Sequence, residues 1–488
     1  MASYQREYPQ IDKDINKAVQ GWLGCDARQK MVNDWRYFSG DNVTISTIER
    51  YYWSEPKKQI VDGKEVKVGG GLTKNHYVSN NRIGYGFYTD MVSQKVNTLL
   101  DELPKIESDY NLDDKFIKNL GYALKLAGTR AAAQGVGYFY LGINNKFTVF
   151  KSEDCMPYYD DETGILRAFI RFWTVAGKNG TDIKYIETYT EQGLTTYCTH
   201  PEFRIIKPTT PYKFRKITDF SGDTIEPLIN KIPIFVLRNN EEYRSDMTPN
   251  IRSKIDIIDM VNSGFANNID DFSELFWVVK NGAGMNSAEF EDFVANINRT
   301  KKVILTGDNA NSIGVDTHQI NIPTEARTKF VEERKKELIQ EAGVIDTDAL
   351  TSKELNTVTI KAATLKLRQR VSDFEWEVYP VATAVIELYQ EYNNVQFDFD
   401  ISFTKLLIQN DTEILQNANS VKDSISRNSY LKLVARAGYI DNVEDEEKRL
   451  EEESLDKYDR YIEEGLDAGT QGYGQIISEP GEENNTNI

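Results

Sequence analysis

From residue 371 to 392 the apolar positions are Val371, Phe374, Val378, Val381, Val385, Leu388 and Tyr392, in alternating steps of three and four. This is a heptad, and it predicts one long helix over residues 358–392. Pro380 lies inside it, lacks an amide hydrogen and crowds the carbonyl four residues back, so a kink is expected there. Such a stripe suits either the core of its own chain or the matching stripe of a second copy in a coiled coil. With so few turns on each side of a proline, the core is the stronger reading.

A second stripe, Ile251, Ile255, Ile258, Phe265, Ile269 and Phe272, keeps similar spacing and is interrupted only at Asn262. It predicts a helix over 249–273 with one narrow buried face. Thr248 suits its N-cap, and Pro249 its first helical position, where a missing amide costs no hydrogen bond. A third helix is expected over 324–345, through EARTKFVEERKKELIQEAG. It carries Glu325/Lys329 and Glu332/Lys336 in the favourable i,i+4 order. Much of its surface should meet water or neighbours.

The rest of the chain sorts by the same criteria. Residues 11–38 read as helical through Ile15, Val19, Trp22, Leu23, Met31, Trp35 and Phe38. After the asparagine-rich NNRIGYG comes an amphipathic helix, with Met91, Lys95 and Thr98 alternating with Val92, Val96 and Leu99 as far as Pro104. A further helix over 113–134 runs into Gly135-Val136-Gly137. From there to 238, segments such as GYFYLGI, FTVF, LRAFIRFW, IKYIETY and IPIFVLR predict a β-meander. Between the second and third helices lies a small α/β insertion: strand 275–281, helix 287–298 and strand 301–307. Residues 346–357, DTDALTSKELNT, have no apolar period and predict a loop. FDFDISF alternates Phe397, Phe399, Ile401 and Phe403 with polar residues, a half-buried strand. Residues 411–464 read as helices, and 465–488 as a tail of Gly, Asn and Glu. The fold class is α+β.

Composition narrows the class. A chain of 488 residues allows about three domains, and 40% hydrophobic with 27% charged residues is a folded composition. Cys25, Cys155 and Cys198 are far apart and odd in number, which predicts a reducing compartment rather than a disulfide framework. The N-terminus lacks a signal-peptide pattern and no run of about 18 apolar residues occurs, so a soluble, cytosol-made protein without a membrane partner is expected. Net charge is −18, and −12 of it lies in residues 441–488, which hold 16 acidic and 4 basic residues. The run DNVEDEEKRLEEES is best read as a solvated helix face, with repulsion of DNA from a channel mouth as the functional alternative. No basic stripe is visible, so any DNA partner is not gripped by its phosphates.

Enzymatic chemistry finds little support. There is no phosphate loop, HExxH, zinc spacing or EF-hand loop, and only three histidines. No catalytic residue and no cofactor is expected. Gly135, Gly137 and Gly142 do not fit GxGxxG and stand between a helix and a strand in the wrong order, so they are turn glycines. Asp398/Asp400 and Asp346/Asp348 invite a divalent ion, but a solvated strand face and a polar loop explain them better.

Three stretches together resemble the portal, or head-to-tail connector, proteins of long-tailed siphophages. They are NNRIGYGFYTDMVSQKVNTLLDELP, AAAQGVGYFYLGI with the later SEDCMPYYDDETG, and IPIFVLRNNEEYRSDMTPNIRSKIDIIDMVNSGFANNIDDFSELFWVVKNGAG. The likeness covers roughly residues 35–440. It implies a portal-type fold: wing 1–248, stem helices 249–273 and 324–345, clip 274–323, tunnel loop 346–357, long kinked wing helix and strand 358–405, crown 406–464 and a flexible tail. The resemblance differs at TSKELNTVTIKAA, where many relatives have a segment containing glycine and serine.

What it implies for function is a ring, of twelve subunits in most virions, at one capsid vertex, through which double-stranded DNA passes. Its partners would be the terminase large subunit, the head-completion adaptor, and the major capsid and scaffolding proteins. Assembly would occur in the host cytoplasm. Asp346, Asp348, Thr351, Ser352, Lys353, Glu354 and Asn356 would belong to the tunnel loop, with Lys353 approaching DNA. Lys329, Arg334, Lys335 and Lys336 would divide between channel lining and intersubunit pairs, while Ile251 to Phe272 pack the stem. Two competing readings are a metal-dependent DNA-processing enzyme using Asp398 and Asp400, and a cellular scaffold dimerising through 371–392.

Overall fold

The computed structural model describes residues 14–54, 57–61, 64–68, 71–75, 78–142, 145–160, 162–176, 182–213, 217–218, 224–225, 228–229, 231–272, 276–280, 314–318, 324–346, 357–405, 411–436, 438–440, 443 and 445–453. The chain divides into two compact units, the first holding residues 1–345 and 365–406 and the second 346–364 and 407–488.

In the first unit the opening helical stretch is two helices, α1 (Asp14–Leu23) and α2 (Asp26–Phe38). The single run expected from periodicity breaks where Cys25 takes an extended conformation and its amide turns back to the Trp22 carbonyl at 3.0 Å. A short α3 (Val43–Ser46) is capped by Asn42, whose side chain accepts from the amides of Thr44 and Ile45. The chain then forms a two-stranded hairpin, β1 (Tyr51–Ser54), β2 (Lys57–Val61), β3 (Lys64–Val68) and β4 (Gly71–Lys74), in which β1 pairs with β4 and β2 with β3.

Next come α4 (Phe87–Leu100), β5 (Lys105–Ser108) and α5 (Asp114–Gln134). α4 is amphipathic, but Met91, Lys95 and Thr98 lie on its buried side together with Val92, Val96 and Leu99, and the more exposed face is Asp90, Ser93, Gln94 and Asn97. Asp113 caps α5 by accepting from the Lys115 amide, and Gly135 closes it at φ 95°, a conformation that favours glycine. A Cβ on Gly137 would lie 2.0 Å from the Ala127 carbonyl oxygen. Both glycines therefore serve the turn from helix to sheet.

The β-rich region is two main sheets rather than one meander. β6 (Val136–Leu141) and β7 (Phe147–Phe150) join a later strand in one. The meander itself is β8 (Cys155–Tyr159), β9 (Leu166–Ala176), β10 (Asp182–Thr190), β11 (Gly193–Cys198) and β12 (Arg204–Thr210). Two small ladders follow, β13 (Tyr212–Lys213) with β16 (Leu228–Ile229) and β14 (Ile217–Thr218) with β15 (Thr224–Ile225). Then β17 (Ile234–Arg238) returns to pair with β6, setting Phe235 opposite Phe139. Phe150, Phe169 and Tyr189 pack edge to face and stacked between the two sheets.

α6 (Pro249–Phe272) and α7 (Thr324–Ala342) flank the insertion. Its first strand, β18 (Phe276–Lys280), falls inside the predicted 275–281 but pairs with an unexpected β19 (Gly314–His318). GVDTH has too little apolar patterning to announce a strand. The predicted helix 287–298 and strand 301–307 lie outside the described residues.

α8 (Thr357–Asn393) runs without interruption through Pro380. Its heptad faces the chain's own core: Val371, Phe374, Val378 and Val385 are fully buried, Leu388 and Tyr392 nearly so, and Val381 half-buried. A dimeric coiled coil has no free stripe left to use. Strand β20 (Phe399–Ser402) pairs with β5.

The second unit holds α9 (Asp411–Val421) and α10 (Arg427–Arg436), which bury Ala418, Leu431 and Val434. Residues 445–453 are helical, with Glu451, Glu452 and Glu453 exposed. The predicted tail lies outside the described residues.

Candidate functional site

The helix pair α6/α7 starts from a local signal. The Thr248 hydroxyl accepts from the Ile251 amide at 3.3 Å, the N-cap expected from Thr-Pro. Ile251, Ile255 and Ile258 are buried in the first unit's core, Phe265 is half-buried, and Ile269 is 48% exposed. The side chain of Phe272 lies outside the description. The stripe therefore leaves the core after Ile258.

α7 buries only Leu338 and Ala342. Lys329 and Lys336 are exposed. Arg334 and Lys335 already have partners within the chain: Arg334 pairs with Glu337 at 2.7 Å, and the Lys335 ammonium sits 4.4 Å from the Tyr85 ring centroid. The expected Glu325/Lys329 and Glu332/Lys336 pairs are not formed among the described residues. Instead Lys254 pairs with Glu341 and ties α6 to α7. With its amide oxygen turned inward, Asn268 accepts from both terminal nitrogens of Arg327 at 2.7 Å.

A second stripe on α6 is polar, and periodicity analysis based on apolar residues missed it. Asp256, Asp259, Ser263, Asn267 and Asp270 follow one another at helical spacing. Asp259, Ser263 and Asn267 accept, in order, the backbone amides of Tyr85 at 2.9 Å, Ile83 at 2.9 Å and Asn81 at 2.5 Å. Four helical residues rise about 6 Å and two extended residues about 6.6 Å, so α6 presents acceptors at nearly the repeat of a strand edge. Asp270 adds a bond from the Asn81 side chain. Asp256 accepts from Tyr37 at 2.6 Å and Thr44 at 2.8 Å, and Asp259 from Asn42 at 2.7 Å. Burial pushes the Asp259 carboxyl up to about 6, although the Asn42 and Tyr85 bonds oppose it. NNRIGYG is thus an extended strap fastened to α6. The clue available in sequence was the polar stripe itself.

Where α7 ends, a buried ionic cluster anchors the start of the following loop. Gly343 turns the chain at φ 63°, and the Ile345 amide donates to the Gln94 side chain at 2.9 Å. Arg370 of α8 donates to the Ala342 carbonyl and to Asp246 at 2.8 Å. Lys95, almost fully buried on α4, donates to Asn239 at 2.6 Å and to Asp246 at 3.3 Å, with the Phe374 ring 4.7 Å away. Burial raises the Asp246 carboxyl, but Lys95, Arg370 and the Asn239 bond outweigh it and hold its pKa below the ordinary value. Burial lowers Lys95. Of the predicted loop residues, Asp346 is described and half-buried. Asp348, Thr351, Ser352, Lys353, Glu354 and Asn356 lie outside the described residues.

Asp398 and Asp400 are both exposed, and among the described residues no three His, Cys, Asp or Glu side chains gather to hold a metal ion. No helix among the described residues is long and apolar enough to cross a membrane.

Comparison with known proteins gives these elements a context. The chain is 25% identical over 470 residues to a portal protein of Bacillus phage SPP1, covering 86% of this chain and 82% of that one. It is 24% identical over 424 residues to a portal protein of Clostridium phage phiCD119, covering 79% of this chain and 89% of the relative. Among solved structures, a chain in the virion of a native gene transfer agent particle matches with a TM-score of 0.37 at 10% identity, over 72% of this chain and 90% of its own length. A chain in the neck of a native gene transfer agent particle, computed with C12 symmetry, matches with a TM-score of 0.32 at 11% identity, over 72% and 91%. The family described as "Phage portal protein, SPP1 Gp6-like" matches residues 41–457, and the chain belongs to that family.

Proposed function

We propose that this portal protein assembles into a closed ring, of twelve subunits, at one vertex of the capsid, and that double-stranded DNA enters and leaves through the ring's channel. The observation that carries the reading is the family match across residues 41–457, and the helix, insertion, helix order of α6, β18/β19 and α7 fits inside it. In this reading α6 and α7 are the stem, 274–323 the clip, 346–357 the tunnel loop, α8 the wing helix and 406–464 the crown. The clip docks the terminase large subunit during packaging and a head-completion adaptor afterwards, with capsid and scaffolding proteins around the ring. Assembly takes place in the host cytoplasm.

The subunit is structural and the motor hydrolyses ATP, in keeping with a sequence that has no phosphate loop. A channel that DNA traverses in both directions must avoid tight phosphate binding, because each neutralised phosphate adds affinity. A net charge of −18 supports that role. Since Arg334 and Lys335 have partners in their own chain, Lys329, Lys336 and Lys353 are the better candidates to meet DNA.

The test is the mass of the purified protein with negative-stain images. One chain weighs 55.9 kDa, so a ring of twelve is unmistakable. Rings with a central channel support the reading, and a strict monomer or dimer across salt conditions would overturn it. Neutralising Lys329, Arg334, Lys335, Lys336 and Lys353 together should alter packaging, retention or ejection; unchanged behaviour would remove these residues from the channel.

A further inference from the structure

We propose that the groove between α6 and α7 is the seat of an adjacent copy of this chain, which lays the opposite flank of its own α7 into it. The inference rests on the ring reading above and deepens it by naming the two surfaces that meet.

α6 has three faces with different surroundings. Ile251, Ile255 and Ile258 enter the core, and Asp259, Ser263 and Asn267 are buried against the strap. The third face, Ser253, Ile257, Met260 and Gly264 at helical spacing, is left open: Ile257 is 41% exposed and Met260 48%. The helix thus buries three polar side chains and exposes two large apolar ones, which neither its own core nor water explains.

Beside this face lies a groove of about 370 Å³, lined by Val261, Gly264 and Asn268 of α6, by Ala326, Arg327 and Phe330 of α7, and by Arg50. Phe330 is 40% exposed. A Cβ on Gly264 would have nothing within 4 Å, so the chain itself does not fill the space. Met260 and Ile257 extend the apolar surface from Gly264 towards the start of α6.

Charge selects the occupant. No carboxylate lines the groove, and among the described residues Arg327 meets only neutral groups, the Asn268 amide at 2.7 Å and the Phe265 ring at 5.8 Å. Matching acids stand on the same helix but face away. At about 100° per residue, Glu332 lies nearly opposite Phe330 and shares its side of α7 with Thr328 and Glu325. Both glutamates are exposed and form no ion pair among the described residues. Lys336 and Lys329 border this flank on the solvent side, between it and the groove, where the channel reading puts them. A subunit cannot turn the far side of α7 into its own groove, whereas a neighbour rotated about a common axis can. Such a head-to-tail contact uses two different surfaces of each subunit, as a closed ring requires. DNA is the poorer occupant, because phosphates would pair with the arginines but leave Ile257, Met260 and Phe330 in water.

The experiment compares full-length wild type with Gly264→Phe, which fills the groove, and Gly264→Ala, which does not. Mass is measured across protein concentration, and melting is followed by circular dichroism. Expected for Gly264→Phe is an assembly midpoint raised at least about tenfold, with the dilute monomer melting no lower than wild type because most side chains favour a helix over glycine. Gly264→Ala should assemble like wild type. A photo-crosslinking residue at Phe330 should give products of twice the chain mass, joined within residues 325–336 of the second chain. Assembly of Gly264→Phe at the wild-type midpoint, equal loss in both variants, adducts elsewhere on the second chain, or adducts only to added DNA would overturn the inference. The crosslink decides it independently should Gly264→Phe fail to fold. A wild-type chain that stays monomeric would overturn the ring reading itself, and this inference with it.

Discussion

Helices α5 and α7 are nearly equal in length, 21 and 19 residues, yet α5 buries eleven of its residues and α7 two. α5 is rich in Ala and Gly, so neighbours approach closely: a Cβ on Gly128 would lie 2.9 Å from Leu100 and 3.4 Å from Phe374. α7 has a charged sequence, EERKKE, and keeps one thin seam on α6. α5 is specified by partners within its own chain. α7 carries a wide polar surface that its own chain leaves exposed.

Buried polar groups repeat the contrast. Around Asp246, two cations and an amide compensate one carboxylate. Along α6, Asp259 is compensated by neutral donors only. Removing Asp246 should give the largest effect: Asp246→Ala leaves the buried Lys95 and the half-buried Arg370 without their shared carboxylate and should cost about 3–5 kcal/mol in urea unfolding. A loss below about 1 kcal/mol would mean that the cluster is not coupled as its geometry indicates.

Phe374 and Trp376 test the same contrast two residues apart on α8. Phe374 is fully buried and Trp376 78% exposed. Phe374→Ala should destabilise by about 3–5 kcal/mol, and Trp376→Ala by no more than about 0.5 kcal/mol in the monomer. Comparable losses in a thermal or denaturant series would contradict the assignment of the Phe374 face to the core and the Trp376 face to the surface.

The two carboxylates should respond to pH with opposite signs. Asp259 titrates near 6 in the folded protein against an ordinary 3.8, so the fold holds its proton more tightly than the unfolded chain does. Its contribution to stability is complete below the ordinary value and is lost as pH rises through about 6, an effect on the order of 2 kcal/mol. Asp34, also raised to about 6 by burial, adds the same sign. Asp246 is held low, so its contribution is present above the ordinary value and lost as pH falls through its folded pKa. Unfolding measured from pH 4 to 7 should show a shallower slope in Asp259→Asn than in wild type, and an identical slope would contradict the assignment. The smallest expected effect is at the cap: Thr248→Ala should cost about 1 kcal/mol, read by denaturant unfolding.

Helix starts and stops were legible because their chemistry is local. Thr248-Pro249 opens α6 with the hydroxyl bond expected, and Gly135 closes α5 in the left-handed conformation. The heptad of α8 also identified its buried face correctly, since apolar periodicity states what must leave water. Among the predicted site residues, Ile251, Ile255 and Ile258 are brought together in the core, whereas Lys329 and Lys336 remain on an open surface.

Partner choice across long separations was not legible. Lys95 looks like a surface lysine until Asp246 and Asn239, far along the chain, meet it in the interior. The polar stripe Asp259, Ser263 and Asn267 has the composition of a solvated helix face, and the amides of Ile83 and Tyr85 alone distinguish the two. β18 was visible as a run of aromatic and β-branched residues, while its partner β19 was not. The sequence by itself determined where segments begin, what period they follow and which apolar stripes are buried, because those properties depend on neighbours a few residues away. Only the tertiary structure decided which polar groups are buried and what satisfies them, because a buried donor is stable only where a distant acceptor meets it.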